Sequence, residues 1–176
     1  MKKCLLLIAC CLPFTLLAQA PTNPITNRDY KVALGVLGTY QAVGLQTELR
    51  FSDQFAFKAV GALSFDKGRR AGENSGAGIG LLTYYIPTNH PFIEPLVGLG
   101  GIYSWYHWEL YGTSGTIHDV NVGGGLGTNL RFSNHFRTGF NVFLGNGFRA
   151  EYQGDKMSTV SRRLLILPTL TLDFLL

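Results

Sequence analysis

Bulky apolar side chains alternate with polar or very small ones, at a period of two residues, along most of the sequence. Between residues 119 and 132, one row holds valine, leucine and phenylalanine, and the other holds glycine, asparagine, aspartate and arginine. A β-strand directs successive side chains to opposite faces, so this period is typical of strands with one apolar face. Helical periodicity is not sustained in any segment. The sequence therefore predicts an all-β fold.

The alternating segments predict eight strands in a single domain. The strands cover residues 29–38, 41–51, 54–65, 76–86, 92–106, 117–132, 135–146 and 160–175. Short turns are predicted at 52–53, 87–91 and 133–134, and long polar loops at 66–75, 109–116 and 147–159; only the first hairpin, near Gly38, departs from this alternation. The repeated stretches RFSDQF (50–55) and RFSNHF (131–136) would then be two turns at the same end. Short turns at one end and long loops at the other are typical of an antiparallel up-and-down transmembrane β-barrel.

Residues 1–20 have the features of a secretory signal peptide. Lys2 and Lys3 precede an apolar run, and the small residues of Ala18-Gln19-Ala20 suit a signal peptidase. Cleavage after residue 19 or 20 would leave a barrel domain at 21–176. The apolar run is shorter than the ~20 residues of a transmembrane helix. Acylation of Cys10, as in a lipoprotein, is the alternative.

Composition excludes several classes of function. All three cysteines lie within residues 1–20, so the processed chain would have no disulfide, thiol nucleophile or cysteine-bound zinc. Without Lys2 and Lys3 the formal net charge falls from +4 to +2, which does not indicate a nucleic-acid partner. The sequence contains no paired catalytic carboxylates, phosphate-binding loop or metal-ligand cluster. We therefore expect no cofactor and no metal.

The polar face of the predicted strands suits the interior of the barrel. An eight-stranded barrel is just wide enough inside for side chains, so its inward row must mix small residues with a few long ones. The bulky face carries essentially no charge, as expected where an Arg or Lys at the bilayer midplane would cost about 2–4 kcal/mol. The expected inward residues are Gly44, Gly78, Gly80, Gly98, Gly100, Gly123, Gly125, Gly127, Gly139, Glu48, Arg50, Lys58, Glu94, Asn121, Arg131, Arg137 and Asp173.

Buried charges need partners. We expect Glu48 and Glu94 to meet the cations of the inward face in a network of ion pairs that fills the lumen and holds the barrel shut. These cations are Arg50, Lys58, Arg131 and Arg137. A path for protons or ions through the same residues is the alternative, although so small a lumen leaves little room for water.

Aromatic residues cluster near the two ends of the predicted strands. Trp and Tyr are enriched at both interfaces of a membrane, where outer-membrane barrels carry aromatic girdles. One predicted girdle, next to the short turns, contains Tyr30, Phe51, Phe55, Tyr85, Phe92, Phe132, Phe136 and Phe174. The other, near a long loop, contains Tyr103, Trp105, Tyr106 and Trp108.

These features together resemble the small eight-stranded outer-membrane barrels of Gram-negative bacteria, the group of OmpX-like proteins and the OmpA transmembrane domain. The apolar alternation at the C-terminus is similar to the assembly signal that barrel-insertion machinery recognises in this group; it comprises Leu170, Leu172, Phe174 and Leu176. Such barrels usually end on an aromatic residue, whereas this chain ends on Leu176. The resemblance implies an outer-membrane location and contact with outer-membrane lipids and lipopolysaccharide.

Three functions are compatible with the sequence. The first is a non-enzymatic barrel with a structural or surface-interaction role; its candidate loop contacts are Lys67, Arg69, Arg70, Arg149 and Lys156. The second is a lipid A-modifying enzyme, which needs a nucleophile and base within hydrogen-bond reach. Its only candidate pairs are Ser104 with His107 and Ser114 with His118. The third is a soluble lipocalin-type carrier, which would need an apolar lumen. We expect the first.

Overall fold

The computed structural model describes residues 30–40, 42–64, 75–110, 112–154 and 156–176. These residues form β1 (Val32–Gly38), β2 (Ala42–Arg50), β3 (Phe55–Ser64), β4 (Gly76–Tyr85), β5 (Ile93–Leu110), β6 (Thr113–Arg131), β7 (Phe136–Gln153) and β8 (Lys156–Leu175). Each strand pairs antiparallel with its neighbours in sequence, and β8 pairs with β1 to close the barrel. The all-β, eight-stranded up-and-down barrel predicted from the alternation is therefore confirmed. The predicted signal peptide, residues 1–20, lies outside the described residues.

Three short connections, residues 51–54, 86–92 and 132–135, lie at the same end of the barrel as Tyr30 and Leu176; we call this the short-turn end. The repeated RFSxxF stretches form matching turns here. In the first, the Phe55 amide donates to the Ser52 hydroxyl over 3.0 Å, and in the second the Phe136 amide donates to the Ser133 hydroxyl over 3.1 Å. The repeat is therefore one turn geometry used twice.

The opposite end, which we call the long-strand end, differs from the prediction. Residues 109–116 and 147–159 are not long loops, because β5 and β6 meet at a tight turn and so do β7 and β8. Gly112 and Gly154 adopt φ values of +76° and +58° in these turns, a conformation that glycine adopts without steric cost. The predicted loop at 66–75 falls almost wholly on residues 65–74, which lie outside the described part of the chain.

The four C-terminal strands are about twice as long as the four N-terminal ones. β1 to β4 contain 7 to 10 residues, whereas β5 to β8 contain 18 to 20. The last β1 residue, Gly38, pairs with Leu170, so β8 extends from there toward Lys156 without a β1 partner. The β5–β6 and β7–β8 hairpins therefore project beyond the rim formed by β1 to β4.

The two faces of the barrel differ in polarity. The outward face is apolar, with side chains such as Leu99 at 70% and Leu164 at 72% exposure, whereas the inward face buries Arg137 completely. Among the described strand residues, no Asp, Glu, Lys or Arg points outward between the short turns and the level of Arg162. No helix in the described residues is long and apolar enough to cross a membrane.

The two rows of side chains of strand β4 point in the opposite directions from those predicted. Gly78 and Gly80 were expected inside, but they pair with Tyr103 and Gly101 on the outward face, and an added Cβ at Gly78 would meet open space. The inward row of β4 contains Ile79, Leu81, Thr83 and Tyr85. The bulky apolar row of this strand therefore lines the lumen.

Candidate functional site

The lumen at the short-turn end is filled by a hydrogen-bonded cluster centred on Arg137, which is fully buried. Its Nη2 lies 2.6 Å from Glu48 Oε2, its Nε lies 2.8 Å from Asp173 Oδ2, and its Nη1 lies 3.4 Å from Glu94 Oε2. The planar guanidinium carries five N–H donors, so one side chain can bind carboxylates from three different strands. Arg137 thereby joins β2, β5, β7 and β8 across the interior.

Two further cations complete the charge pairing of the cluster. Lys58 Nζ lies 3.3 Å from Glu48 Oε2, and Arg131 Nη1 lies 3.6 Å from Glu94 Oε1. All four side chains are less than 10% exposed. The structure therefore brings together five of the six residues of the predicted network through ion pairs.

Arg50, the sixth predicted member, joins the cluster in a different way. Its guanidinium carbon lies 4.7 Å from the ring centroid of Tyr30 and 4.4 Å from that of Tyr85, and its Nη2 donates to the carbonyl of Asp53 over 2.8 Å. An arginine between two aromatic faces gains cation–π attraction, which is stronger where water is excluded. Among the described residues, its contacts are thus with rings and backbone, and the predicted ion pair is not formed.

The sequence predicted that Tyr30 and Tyr85 belong to an aromatic girdle, but in the structure both belong to the buried cluster. Their hydroxyls donate to the two oxygens of Glu48 over 3.1 and 2.7 Å, and both accept from Arg137 Nη1. A buried tyrosine hydroxyl usually finds such a partner. Asp173, which sequence reasoning placed inside without a role, holds Arg137 and accepts from the Gln46 amide.

Beyond this cluster the middle of the lumen contains a layer of bulky apolar side chains, which the sequence did not lead us to expect. Leu37, Val60, Leu96, Ile102 and Phe143 are each at most 7% exposed. They line a cavity of about 50 Å³ together with several polar side chains, among them Gln46, Thr83, Asn141, Thr169 and Thr171. The predicted lining of glycine and charge is therefore interrupted by an apolar layer.

A second charged cluster lies above the apolar layer, toward the long-strand end. Arg149 donates through Nε and Nη2 to the two oxygens of Asp119 over 2.8 and 2.9 Å, and Arg163 Nη1 donates to Asp119 Oδ2. Arg149 was predicted as a loop contact, but it lies within β7 directly opposite Asp119 on β6. That prediction is wrong because the segment 147–159 is a hairpin of two strands.

Aromatic rings form two groups on the outward face. At the short-turn end, Phe55 packs with Tyr84 at a centroid distance of 5.2 Å, and Phe136 packs with Phe174 at 5.1 Å. Phe51 is also exposed there, while Phe92 and Phe132 are half-buried.

Toward the long-strand end, Tyr103 stacks with Trp105 at 5.9 Å on the same outward face. The Tyr103 hydroxyl and His118 Nδ1 are 2.7 Å apart, and His118 meets the Tyr152 ring edge-on at 5.6 Å. The predicted girdle residues Tyr106 and Trp108 belong to the inward row of β5 instead, since Trp108 pairs with the buried Gly115.

The structure does not bring the candidate catalytic pairs together. Ser104 is buried in the inward row of β5, whereas His107 belongs to the outward row, so the two side chains leave the strand on opposite faces. Ser114 and His118 share a face but lie four residues apart along β6, about 13 Å at the usual rise of a strand. Of the predicted loop contacts, Lys67, Arg69 and Arg70 lie outside the described residues, and Lys156 is exposed at the first residue of β8.

Comparison with solved structures finds the same architecture in the first of three matches, and the two others are weaker. The N-terminal β-barrel domain of Pseudomonas aeruginosa OprF matches with a TM-score of 0.58 and 14% identity, over 82% of this chain and 96% of that one. Neisserial surface protein A matches with a TM-score of 0.49 and 15% identity, over 80% and 91% of the two chains. The Ail protein of Yersinia pestis matches with a TM-score of 0.45 and 11% identity, over 82% and 93%. No protein-family model and no curated protein sequence matches the chain. The eight-stranded closed barrel and its match to the OprF domain show that the chain has the fold of the small outer-membrane β-barrels, as the sequence pattern predicted.

Proposed function

We propose that the chain is a non-enzymatic outer-membrane β-barrel of a Gram-negative bacterium, exported by a signal peptide at residues 1–20. Its barrel domain, 21–176, would hold a closed barrel in the membrane and present two projecting hairpins at the cell surface. Its role would be structural or one of surface interaction.

The observation that carries this proposal is the inverted distribution of polarity. Leucines, valines and phenylalanines cover the outside, while Glu48, Glu94, Arg131, Arg137 and Asp173 are at most 3% exposed inside. Water outside a soluble barrel would reverse this arrangement, because burying a charge is costly whereas removing an alkyl group from water is favourable. Lipid as the outer solvent accounts for both faces at once.

The height of the apolar band supports the same proposal. Ten residues separate Ile93, near the short turns, from Tyr103, at the start of the second aromatic group. A tilted transmembrane β-strand needs about 9–11 residues to cross the hydrocarbon core. The aromatic groups would then lie at the two interfaces, with the short-turn end in the periplasm.

Side chains would block passage through the lumen. The cluster around Arg137 occupies the periplasmic end, and the apolar layer around Phe143 leaves a cavity of only about 50 Å³. A solute would have to break the ion pairs and displace the apolar side chains to pass. We therefore propose a plugged barrel rather than a pore.

Surface contacts would come from the projecting hairpins. Lys156 and Arg162 are exposed on β8, and Arg162 belongs to the outward row just above the apolar band. Arginine binds phosphate groups through its planar fork of donors, so we propose that Arg162 contacts the phosphates of lipopolysaccharide. During assembly, insertion machinery would meet the outward C-terminal row of Leu170, Leu172, Phe174 and Leu176.

Cell fractionation combined with gel electrophoresis tests the proposal. We expect the processed protein in the outer-membrane fraction, and we expect unboiled samples to migrate differently from boiled ones because the closed barrel survives the detergent. Processing should remove 19 or 20 residues, which mass spectrometry of the intact protein measures. Recovery in the soluble periplasm, with a single migration position, would overturn the proposed location.

A further inference from the structure

We propose that the cluster of Asp119, Arg149 and Arg163 is a binding site for the oxyanion group of a small soluble ligand. The site lies inside the barrel, toward the long-strand end, beside a cavity of about 60 Å³. The cavity walls include the polar side chains Ser104, Tyr106, Asp119, Asn121 and Arg163 beside apolar ones such as Leu37 and Leu165. The ligand class is a phosphate, sulfate or carboxylate compound that also carries a hydroxyl group.

The two guanidiniums of the cluster offer hydrogen-bond donors to an anion. Asp119 is fully buried and binds both, and Glu151 lies in the same inward row as Arg149, so the anion would be held by directed donors rather than by a net positive charge. The side chains of Arg149 and Arg163 are 33% and 28% exposed. Asp119 occupies Nε and Nη2 of Arg149 and Nη1 of Arg163, which leaves donors on both guanidiniums for a further acceptor. Guanidinium donors held in a fixed position suit the oxygens of phosphate, sulfate or carboxylate.

The backbone arrangement keeps Arg163 directed into this site. Arg163 lies on β8 and Asp119 on β6, with β7 between them. The β7 residue opposite Arg163 is Gly147, which has no side chain to obstruct the path. An added Cβ at Gly147 would lie 2.7 Å from the Cα of Asn121, so only glycine fits there. Asp119 then holds the guanidinium beside the cavity.

Asn121 provides the second, independent indication of a ligand. It is 1% exposed and lines the same cavity, and its Oδ1 accepts no hydrogen bond within the described part of the chain. Leaving a buried acceptor unpaired is unfavourable, so a ligand that donates a hydrogen bond to this oxygen would bind more tightly. A hydroxyl close to the oxyanion would supply that donor.

The facing of these side chains separates the site from the lipid surface. Asp119, Asn121, Arg149 and Arg163 all belong to inward rows, whereas Arg162 points out toward the surrounding lipid headgroups. A ligand must therefore enter from the aqueous side through the long-strand end. The inference rests on the proposed function in one respect, the side of the membrane from which the ligand comes. Binding to the purified barrel can be measured without knowing that side.

Titration of the refolded full-length processed chain in detergent micelles tests the inference. The probes are inorganic phosphate and glycerol phosphate, observed by NMR at the Asn121 side-chain amide and the Arg163 Nε–H. We expect saturable shifts centred on these two groups, and tighter binding of glycerol phosphate than of inorganic phosphate. The Asn121→Leu variant should lose that preference.

A matched pair of variants separates the site from general electrostatics. Arg163→Gln and Arg162→Gln remove the same charge from adjacent residues, one facing inward and one outward. Because a charge-assisted hydrogen bond is lost only in the first, we expect binding about tenfold weaker or more in Arg163→Gln and changed by less than about twofold in Arg162→Gln.

Three outcomes would overturn the inference. The first is the absence of saturable shifts at Asn121 and Arg163 in the unmodified protein, a result that does not depend on whether any variant folds. The second is equal weakening by both arginine variants. The third is a response to lipopolysaccharide in the micelles without a response to either soluble phosphate, which would assign the anion to the lipid. None of these outcomes would alter the fractionation result.

Discussion

Replacing Arg137 by glutamine should be the most damaging single change in the lumen. Arg137 is fully buried and binds Glu48, Glu94 and Asp173. After the change, Glu48 keeps Lys58 and two tyrosine hydroxyls, and Glu94 keeps Arg131. Among the described residues, Asp173 then keeps the Gln46 amide as its one hydrogen-bond partner, so it becomes the buried carboxylate without an ion pair.

The expected cost follows from that single orphaned carboxylate. Removing one partner of a buried ion pair typically costs about 3–5 kcal/mol, because the other charge stays buried without compensation. Neutralising it should recover part of the loss. We therefore expect Arg137→Gln to lower the free energy of unfolding by about 3–5 kcal/mol, and Arg137→Gln with Asp173→Asn to be about 1–3 kcal/mol less destabilised than the sum of the single changes.

Urea unfolding of the barrel in lipid vesicles measures these free energies. Trp105 and Trp108 are the two tryptophans of the chain and report the transition by fluorescence. Lys156→Gln, at an exposed strand end, is the control and should change stability by no more than about 0.5 kcal/mol. A loss below about 1 kcal/mol for Arg137→Gln, or strict additivity with Asp173→Asn, would refute the reasoning.

Three further changes probe other parts of the barrel in the same unfolding assay. Leu99→Arg, at an outward position that is 70% exposed, should cost about 2–4 kcal/mol in vesicles, whereas a soluble barrel would tolerate it within about 0.5 kcal/mol. Gly100→Ala should cost about 1–3 kcal/mol, because its Cβ would lie 2.9 Å from the Leu81 Cα; Gly78→Ala, which meets open space, should cost nothing comparable. Phe143→Ala should cost about 3–5 kcal/mol by emptying the apolar layer, and a cost below about 1 kcal/mol would show that this layer is not packed.

The barrel could be predicted because alternation records two different environments on the two faces of each strand. This signal fails where both faces meet water. Every residue from Lys156 to Arg162 is exposed, so the outer part of β8 shows no apolar row, and residues 156–159 were predicted as loop. The segment is nevertheless a strand because its backbone forms hydrogen bonds with β7, and the polarity of the side chains does not reveal this pairing.

The facing of β4 illustrates a second limit. Its sequence, GAGIGLLTYY, sets alanine, isoleucine and leucine against glycines, which suggested that the glycines lie inside. The apolar middle layer of the lumen reverses this, since Leu81 pairs with the inward Lys58. The same error placed Tyr85 in the girdle, whereas it lies in the inward row and donates to Glu48. Only the pairing register, which depends on the whole barrel, determines the facing of such a strand.

The ionic cluster was more predictable than its polar surroundings. Charged residues on the inward face must pair, so Glu48, Glu94, Arg131 and Arg137 could be assigned to one network from the sequence alone. The central position of Arg137 and the role of Tyr30 could not, because they depend on which strands face each other across the lumen. Tyr30 lies 107 residues from the arginine that donates to its hydroxyl.

Collision measurements on spin-labelled cysteines test the central claim, that the apolar outward face contacts lipid. Residues 21–176 contain no cysteine, so single cysteines at Leu99, Val122 and Lys156 can each be labelled uniquely. In reconstituted vesicles, we expect the labels at Leu99 and Val122 to collide with membrane-soluble oxygen far more often than with a water-soluble nickel chelate, and the label at Lys156 to show the reverse. Free access of the nickel chelate to Leu99 and Val122, equal to that at Lys156, would contradict the account.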